Sequence, residues 1–129
     1  MVLAEDHAGV AEQLRSLLAP EFDVVAIVAD GNELVRAVEA VRPDVVVTDI
    51  VMPGLDGIAA TAALLARHAG TRVVLVTVHD DPDLAASGYA AGALGYVSKH
   101  RAGQELVAAV RAAVRGERYT PPHLRGETA

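Results

Sequence analysis

The sequence predicts an α/β fold: a three-layer sandwich in which a parallel sheet carries helices on both faces. Three observations lead there. Short β-branched runs lack polar alternation, stretches with apolar residues at helical spacing separate them, and the two patterns alternate five times at about one unit per two dozen residues. A strand covered on both faces has no solvent side on which to place polar residues, so it reads as a continuous apolar run. Parallel neighbours need crossover connections, and these are right-handed.

The elements follow in order. MVLA at the start is the first strand, and Val10, Leu14, Leu17 and Leu18 mark one face of the helix after it. Val24 to Val28, Val45 to Val47 and Arg72 to Val76 read as central strands covered on both faces. Leu34, Val38 and Val41 face inward on the second helix, and Ile58, Thr61, Ala62 and Leu65 on the third. Pro82 lies just inside a fourth helix capped by Asp81; its segment LAASGYAAGA has two glycines and few large anchors, so it should pack weakly and shift at low cost. LGYVS, 94 to 98, is the fifth strand. The last helix buries Leu106, Val107, Val110 and Val114 and turns Arg111 and Arg115 to solvent. Pro43, Pro53-Gly54 and Gly70 break the chain between units.

Composition narrows the function. A chain of 129 residues is one domain with a single core. Hydrophobic residues make up 52% but aromatics only 3%, so Ala, Val, Leu and Ile build the core and stacking on bases or a flavin is disfavoured. The net charge of −6 repels phosphate backbones and anionic lipid, so no membrane partner is expected and DNA contact requires another domain. With no cysteine there is neither a disulfide framework nor thiolate chemistry. Glu5 and Asp6 interrupt the place of a signal peptide, and no run approaches the ~18 apolar residues of a membrane span. A soluble, cytoplasmic protein is the expectation.

The polar residues collect where strands end, which in an open α/β sheet is where ligands bind. The first strand ends in Glu5-Asp6, the third in Thr48-Asp49, the fourth in Thr77 and the fifth in Ser98-Lys99. Taken singly, Asp6 is a helix cap, Asp49 a turn residue and Thr77 a capping hydroxyl. Together they make a different case: carboxylates converging within about 5 Å repel by about 3 kcal/mol per pair at an effective dielectric of 20, which calls for a cation. Oxygen-only ligands with water favour Mg²⁺. Lys99 adds a second positive charge, and it is the only lysine, against ten arginines. Carboxylates, Mg²⁺, a hydroxyl and an ammonium together suit phosphoryl transfer. Asp49, exposed at the rim by the Met52-Pro53-Gly54 turn, is the natural nucleophile, and Glu5 and Asp6 are the metal holders.

AEDH at 4–7, VVVTDIVMPGLDG at 45–57, VVLVTVHDD at 73–81 and AAGALGYVSK at 90–99 resemble, in order and spacing, the receiver domain of two-component response regulators. The resemblance covers residues 1 to about 118 and implies a doubly wound, flavodoxin-like five-stranded parallel sheet in the order 2-1-3-4-5. It implies Asp49 as phosphoacceptor and Mg²⁺ held by Asp6, by Glu5 largely through water, by Asp49 and by the Val51 backbone carbonyl. Thr77 and Lys99 grip the phosphoryl group, and Thr77 and Tyr96 form the switch. A histidine kinase is the implied donor, and a homodimer formed on phosphorylation is one implied output. The domain is then regulatory rather than an enzyme, assisting only its own phosphorylation and dephosphorylation.

Several features depart from the family pattern. The first strand is short, Val78 is bulkier than the small residue usual after the switch threonine, and Val51 and His79 occupy positions that tune the phosphorylated lifetime. His7, His68, His100 and His123 are scattered surface residues, and no zinc site is expected. Residues 119–129, YTPPHLRGETA, read as a linker resembling the join to a DNA-binding helix-turn-helix domain in the NarL/FixJ (LuxR-type) group, so truncation before such a domain is expected, with a stand-alone receiver as the alternative. Two other readings are weaker. An aspartate-nucleophile phosphohydrolase of the haloacid dehalogenase kind wants a second Asp at position 51, which is Val; a phosphorylation-independent interaction module would be expected to lack an acidic residue or the lysine, and both are here.

Overall fold

Residues 1–79 and 81–121 are described by a computed structural model. Their β-branched runs pair into one parallel sheet and the helically spaced segments cover it. The strands are β1 (Val2–Ala4), β2 (Ala26–Val28), β3 (Val45–Asp49), β4 (Arg72–Thr77) and β5 (Gly95–Ser98). The helices are α1 (Ala8–Leu18), α2 (Gly31–Val41), α3 (Gly57–Arg67), α4 (Pro82–Ala90) and α5 (Ala102–Val114). The sheet order is β2-β1-β3-β4-β5, as the family resemblance implies. In register, Ala4 pairs with Val28 and Thr48, Asp49 with Val76, and Thr77 with Ser98, so the polar strand ends reach one rim.

Successive side chains on a strand point to opposite faces, and this splits the core in two. Val2, Ala4, Val46, Val73, Leu75 and Tyr96 meet Leu34, Val38, Ala60, Leu64 and Ala85 on the α2–α3–α4 side. Leu3, Val47, Val74, Val76 and Val97 meet Leu14, Leu18, Leu106 and Val110 on the α1–α5 side.

Two expectations need correction. The run from Val24 to Val28 is not a central strand: β2 is the sheet edge, and Val25 and Ile27 are 52% and 43% exposed. A hydrophobic run records only the residues present, whereas the edge position follows from chain order. The helix phases also drift. Val41, Ala62 and Val114 are exposed, and Ala60, Leu64, Ala109 and Ala113 are buried in the core. In alanine-rich helices small residues fit anywhere, so the apolar stripe is poorly marked. The solvated basic pair is as expected, with Arg111 on Glu21 and Arg115 on Glu117.

Local chemistry sets the helix ends. Asp30, Asp56 and Asp81 cap α2, α3 and α4 by accepting backbone N–H groups, and Pro82 opens α4. His7, not Asp6, caps α1, its Nδ1 accepting from Val10 N–H at 3.3 Å. Arg42 ends α2 in the left-handed conformation, φ 54°, which a side chain disfavours. Its ion pair with Glu39 is exposed and contributes little. Arg42→Gly is therefore expected to raise stability by about 0.5–1 kcal/mol, read from the urea midpoint at unchanged slope.

Candidate functional site

The rim is built by backbone first. Asp49 closes β3 in the row of Val45 and Val47, and its Oδ1 accepts from the N–H groups of Ile50 at 2.7 Å and Val51 at 3.4 Å. The turn that follows is held tightly, since Gly57 N–H donates to the Ile50 carbonyl at 2.7 Å. A Cβ on Gly57 would lie 2.0 Å from the Asp49 carbonyl oxygen, so only glycine permits this approach. The second carboxylate oxygen, Oδ2, accepts from Lys99 Nζ at 2.8 Å. Both oxygens are thus oriented, which fixes the plane of the group.

Glu5 comes from the end of β1. It is buried, its Oε2 accepts from His7 N–H at 3.1 Å, and its Oε1 lies 2.5 Å from Lys99 Nζ. That last contact is close enough for an ion pair, yet Oε1 has no partner in hydrogen-bond geometry. Asp6 is exposed beside it, and one carboxylate oxygen from each of Glu5, Asp6 and Asp49 lies within 4.8 Å of the others. Three carboxylates face one ammonium, leaving the cluster negative. That excess of carboxylate over ammonium, in an all-oxygen set, fits a hard divalent cation such as Mg²⁺.

The Lys99 side chain is 14% exposed. Burial alone would lower its pKa, but the hydrogen bond to Asp49 and charge attraction from Asp49 and Glu5 outweigh that and hold it above the ordinary 10.5. A lysine whose folded pKa is raised contributes stability that is complete below the unfolded value and is lost as pH rises through the folded one. The difference in melting temperature between wild type and Lys99→Gln should therefore be flat from neutral pH to about 10.5 and shrink above it. Parallel thermal melts across that range check this; a gap unchanged into the more alkaline range would contradict it.

Thr77 also reaches the rim, one residue beyond Val76, the partner of Asp49. It is fully buried, and its hydroxyl accepts from His79 N–H at 3.1 Å rather than bonding Asp49. Tyr96 is 1% exposed, inside the α4 side of the core; its hydroxyl donates to the His79 carbonyl and accepts from Asp81 N–H at 3.4 Å. The structure therefore joins Glu5, Asp6, Asp49 and Lys99 in one cluster, with Thr77 and Tyr96 tied to the β4–α4 loop beside it. Val51 and Val78 are 58% and 51% exposed, so the bulk of Val78 is directed outward. His123 and most of the linker segment lie outside the described residues.

Sequence reasoning missed the bridge from Lys99 to Glu5, the close approach of Gly57 and the His7 cap. Only Gly57 left a signal, a glycine directly after a capping Asp at the mouth of a helix. Also unforeseen is a groove of ≈ 630 Å³ between α1 and the start of α5, lined by Val10, Leu14, Leu17, Val78, Lys99 and Gly103.

A family model described as the response regulator receiver domain matches residues 1–111. The chain is 36% identical over 126 residues to the transcriptional regulatory protein DegU of Brevibacillus brevis, covering 96% of this chain and 53% of that protein. It is 35% identical over 131 residues to the response regulator UvrY of Escherichia coli (strain K12), covering 100% of this chain and 60% of that protein. Among solved structures it resembles a two-component response regulator of the LuxR family from Aurantimonas sp. SI85-9A1. There the TM-score is 0.91 at 35% identity, covering 95% of this chain and 89% of that one. The signal receiver domain of the response regulator NarL from Mycobacterium tuberculosis matches at TM-score 0.85 and 31% identity, over 90% of this chain and 95% of that one. The chain thus spans only 53% and 60% of the length of these two curated relatives. The family match runs from β1 through most of α5, and over that length the chain belongs to the receiver domains of two-component response regulators.

Proposed function

We propose that this domain is a phosphorylation-controlled switch that accepts a phosphoryl group on Asp49. The observation that carries the reading is a carboxylate fixed by two backbone N–H groups, with Lys99 2.8 Å away and Glu5 and Asp6 beside it. In the step, an Asp49 carboxylate oxygen attacks phosphorus and forms a P–O bond. The P–N bond of a kinase phosphohistidine, or the P–O bond of acetyl phosphate, breaks with its electron pair leaving on the donor. Glu5, Asp6, Asp49 and the Val51 carbonyl would hold Mg²⁺, which when bound neutralises charge on the phosphoryl oxygens. Lys99 is placed to neutralise a further oxygen. Thr77 would exchange its bond to the loop for one to the phosphoryl group, and Tyr96, bonded to the same loop, would feel that exchange.

The partner that fits is a sensor histidine kinase. The α1–α5 groove opens beside Lys99 and Val78, so a helix laid in it could present a histidine to Asp49. By analogy with relatives named transcriptional regulators, residues 1–118 would act as receiver and 119–129 as linker to a DNA-binding domain, in the cytoplasm, with homodimerisation as one route of output. No described helix is long and apolar enough to cross a membrane. The test is mass spectrometry after incubation with acetyl phosphate. One hydroxylamine-labile phosphoryl group is expected with Mg²⁺ and none with the metal chelated; uptake independent of divalent cation would remove the reading.

A further inference from the structure

The chain beyond α5 is fastened to α4. Tyr119 N–H donates to the Leu94 carbonyl at 2.6 Å and Tyr119 forms a parallel bridge with Gly95, so the segment lies along the outer edge of β5. Tyr89 of α4 holds it from the other side: its hydroxyl donates to the Tyr119 carbonyl at 2.5 Å, and the Arg118 guanidinium carbon sits 3.8 Å from its ring centroid. Pro121 is buried. Tyr89 packs against the α2–α3–α4 core and Tyr119 against the α1–α5 core, so this contact closes the sheet edge between the two layers.

The other end of α4 is tied to the rim. Its cap residue Asp81 donates to the Tyr96 hydroxyl, that hydroxyl donates to the His79 carbonyl, and His79 N–H donates to Thr77. Between these ends α4 buries only Ala85 and Gly88, so little apolar packing opposes a shift of the helix as a unit.

We propose that Tyr89 is a clasp that makes α4 and segment 118–121 one mechanical unit. Displacing α4 strips the segment from the β5 edge, and seating the segment holds α4 down. The occupant of this surface is the chain's own continuation, so whatever follows residue 121 is connected to α4 through Tyr89. The coupling is a two-way free energy: loosening either side must loosen the other by the same factor.

Hydrogen exchange of the full 129-residue chain, without phosphodonor, tests this from both sides. Tyr89→Phe loses one hydrogen bond and should speed exchange of the Tyr119 amide about fivefold, and Tyr89→Ala, losing the ring as well, more than about tenfold. From the other side, Arg118→Ala and Tyr119→Pro should speed exchange of the α4 amides while those of β3 stay at wild-type rates. Wild-type α4 rates in both of these variants would overturn the proposal, as would a Tyr119 amide indifferent to Tyr89→Phe. If Tyr89→Ala also exposes β3, Tyr89→Phe decides. Phosphoryl uptake, measured separately, bears on the switch reading and leaves the clasp standing or falling on exchange alone.

Discussion

Asp49→Asn is expected to take up no phosphoryl group from acetyl phosphate under conditions that fully modify the wild type. The amide nitrogen is not a nucleophile, and the remaining carbonyl oxygen carries no charge to donate to phosphorus. The geometry leaves no substitute. Glu5 points its Oε2 to His7 N–H and its Oε1 to Lys99, and Asp6 lacks the backbone N–H groups that orient Asp49. The fold should survive the change. Removing the Asp49 charge forfeits a charged hydrogen bond to Lys99, about 1.5–3 kcal/mol, and relieves repulsion of about 3 kcal/mol per carboxylate pair at an effective dielectric of 20. Asp49 stands in two such pairs, with Glu5 and with Asp6, so the relief at least matches the loss and the melting temperature of the variant should equal or exceed that of the wild type. Addition of Mg²⁺ should raise the wild-type melting temperature more than the variant's, because binding to the folded state stabilises it by mass action. Undiminished uptake in Asp49→Asn would remove the assignment of the acceptor.

Gly57→Ala should be the most damaging small substitution at the site. The added carbon would stand 2.0 Å from the Asp49 carbonyl oxygen and 2.9 Å from the Ile50 Cα, and both neighbours are backbone at the end of a buried strand. No side-chain rotation can relieve the overlap, so β3 and the start of α3 must separate. Overpacking of this kind costs about 3 kcal/mol, a fall of roughly 10–15 °C in melting temperature for a chain of this size. Phosphoryl uptake should slow as well, since Asp49 would lose its register with Lys99. Gly103→Ala is the contrasting control: nothing lies within 4 Å of its Cβ, and an exposed helical alanine should stabilise by about 0.5 kcal/mol. Equal effects from the two substitutions would show that crowding at Gly57 is unimportant.

What could be read in the residues was whatever depends on pattern along the chain. Val45 to Val47 and Arg72 to Val76 lack polar partners because both faces are covered, and that shows in one dimension. The rim was legible for the same reason, since the first, third, fourth and fifth strands each stop at or just before a polar residue and parallel strands stop at the same end. What escaped depends on three dimensions. Nothing in Val24 to Val28 distinguishes an edge strand from an inner one, and nothing in Glu5 announces that Lys99 will reach it from the far side of β3. Tyr119 reads as linker by composition, yet the β5 edge offers it backbone partners that no local pattern records.

Because its one ε-amine stands between Glu5 and Asp49, the molecule carries a built-in reporter at its acidic rim. Isotopic enrichment of lysine alone would place a single side-chain resonance there, free of overlap from any other residue. Cation titration or acyl phosphate formation could then be followed in solution without attaching a dye.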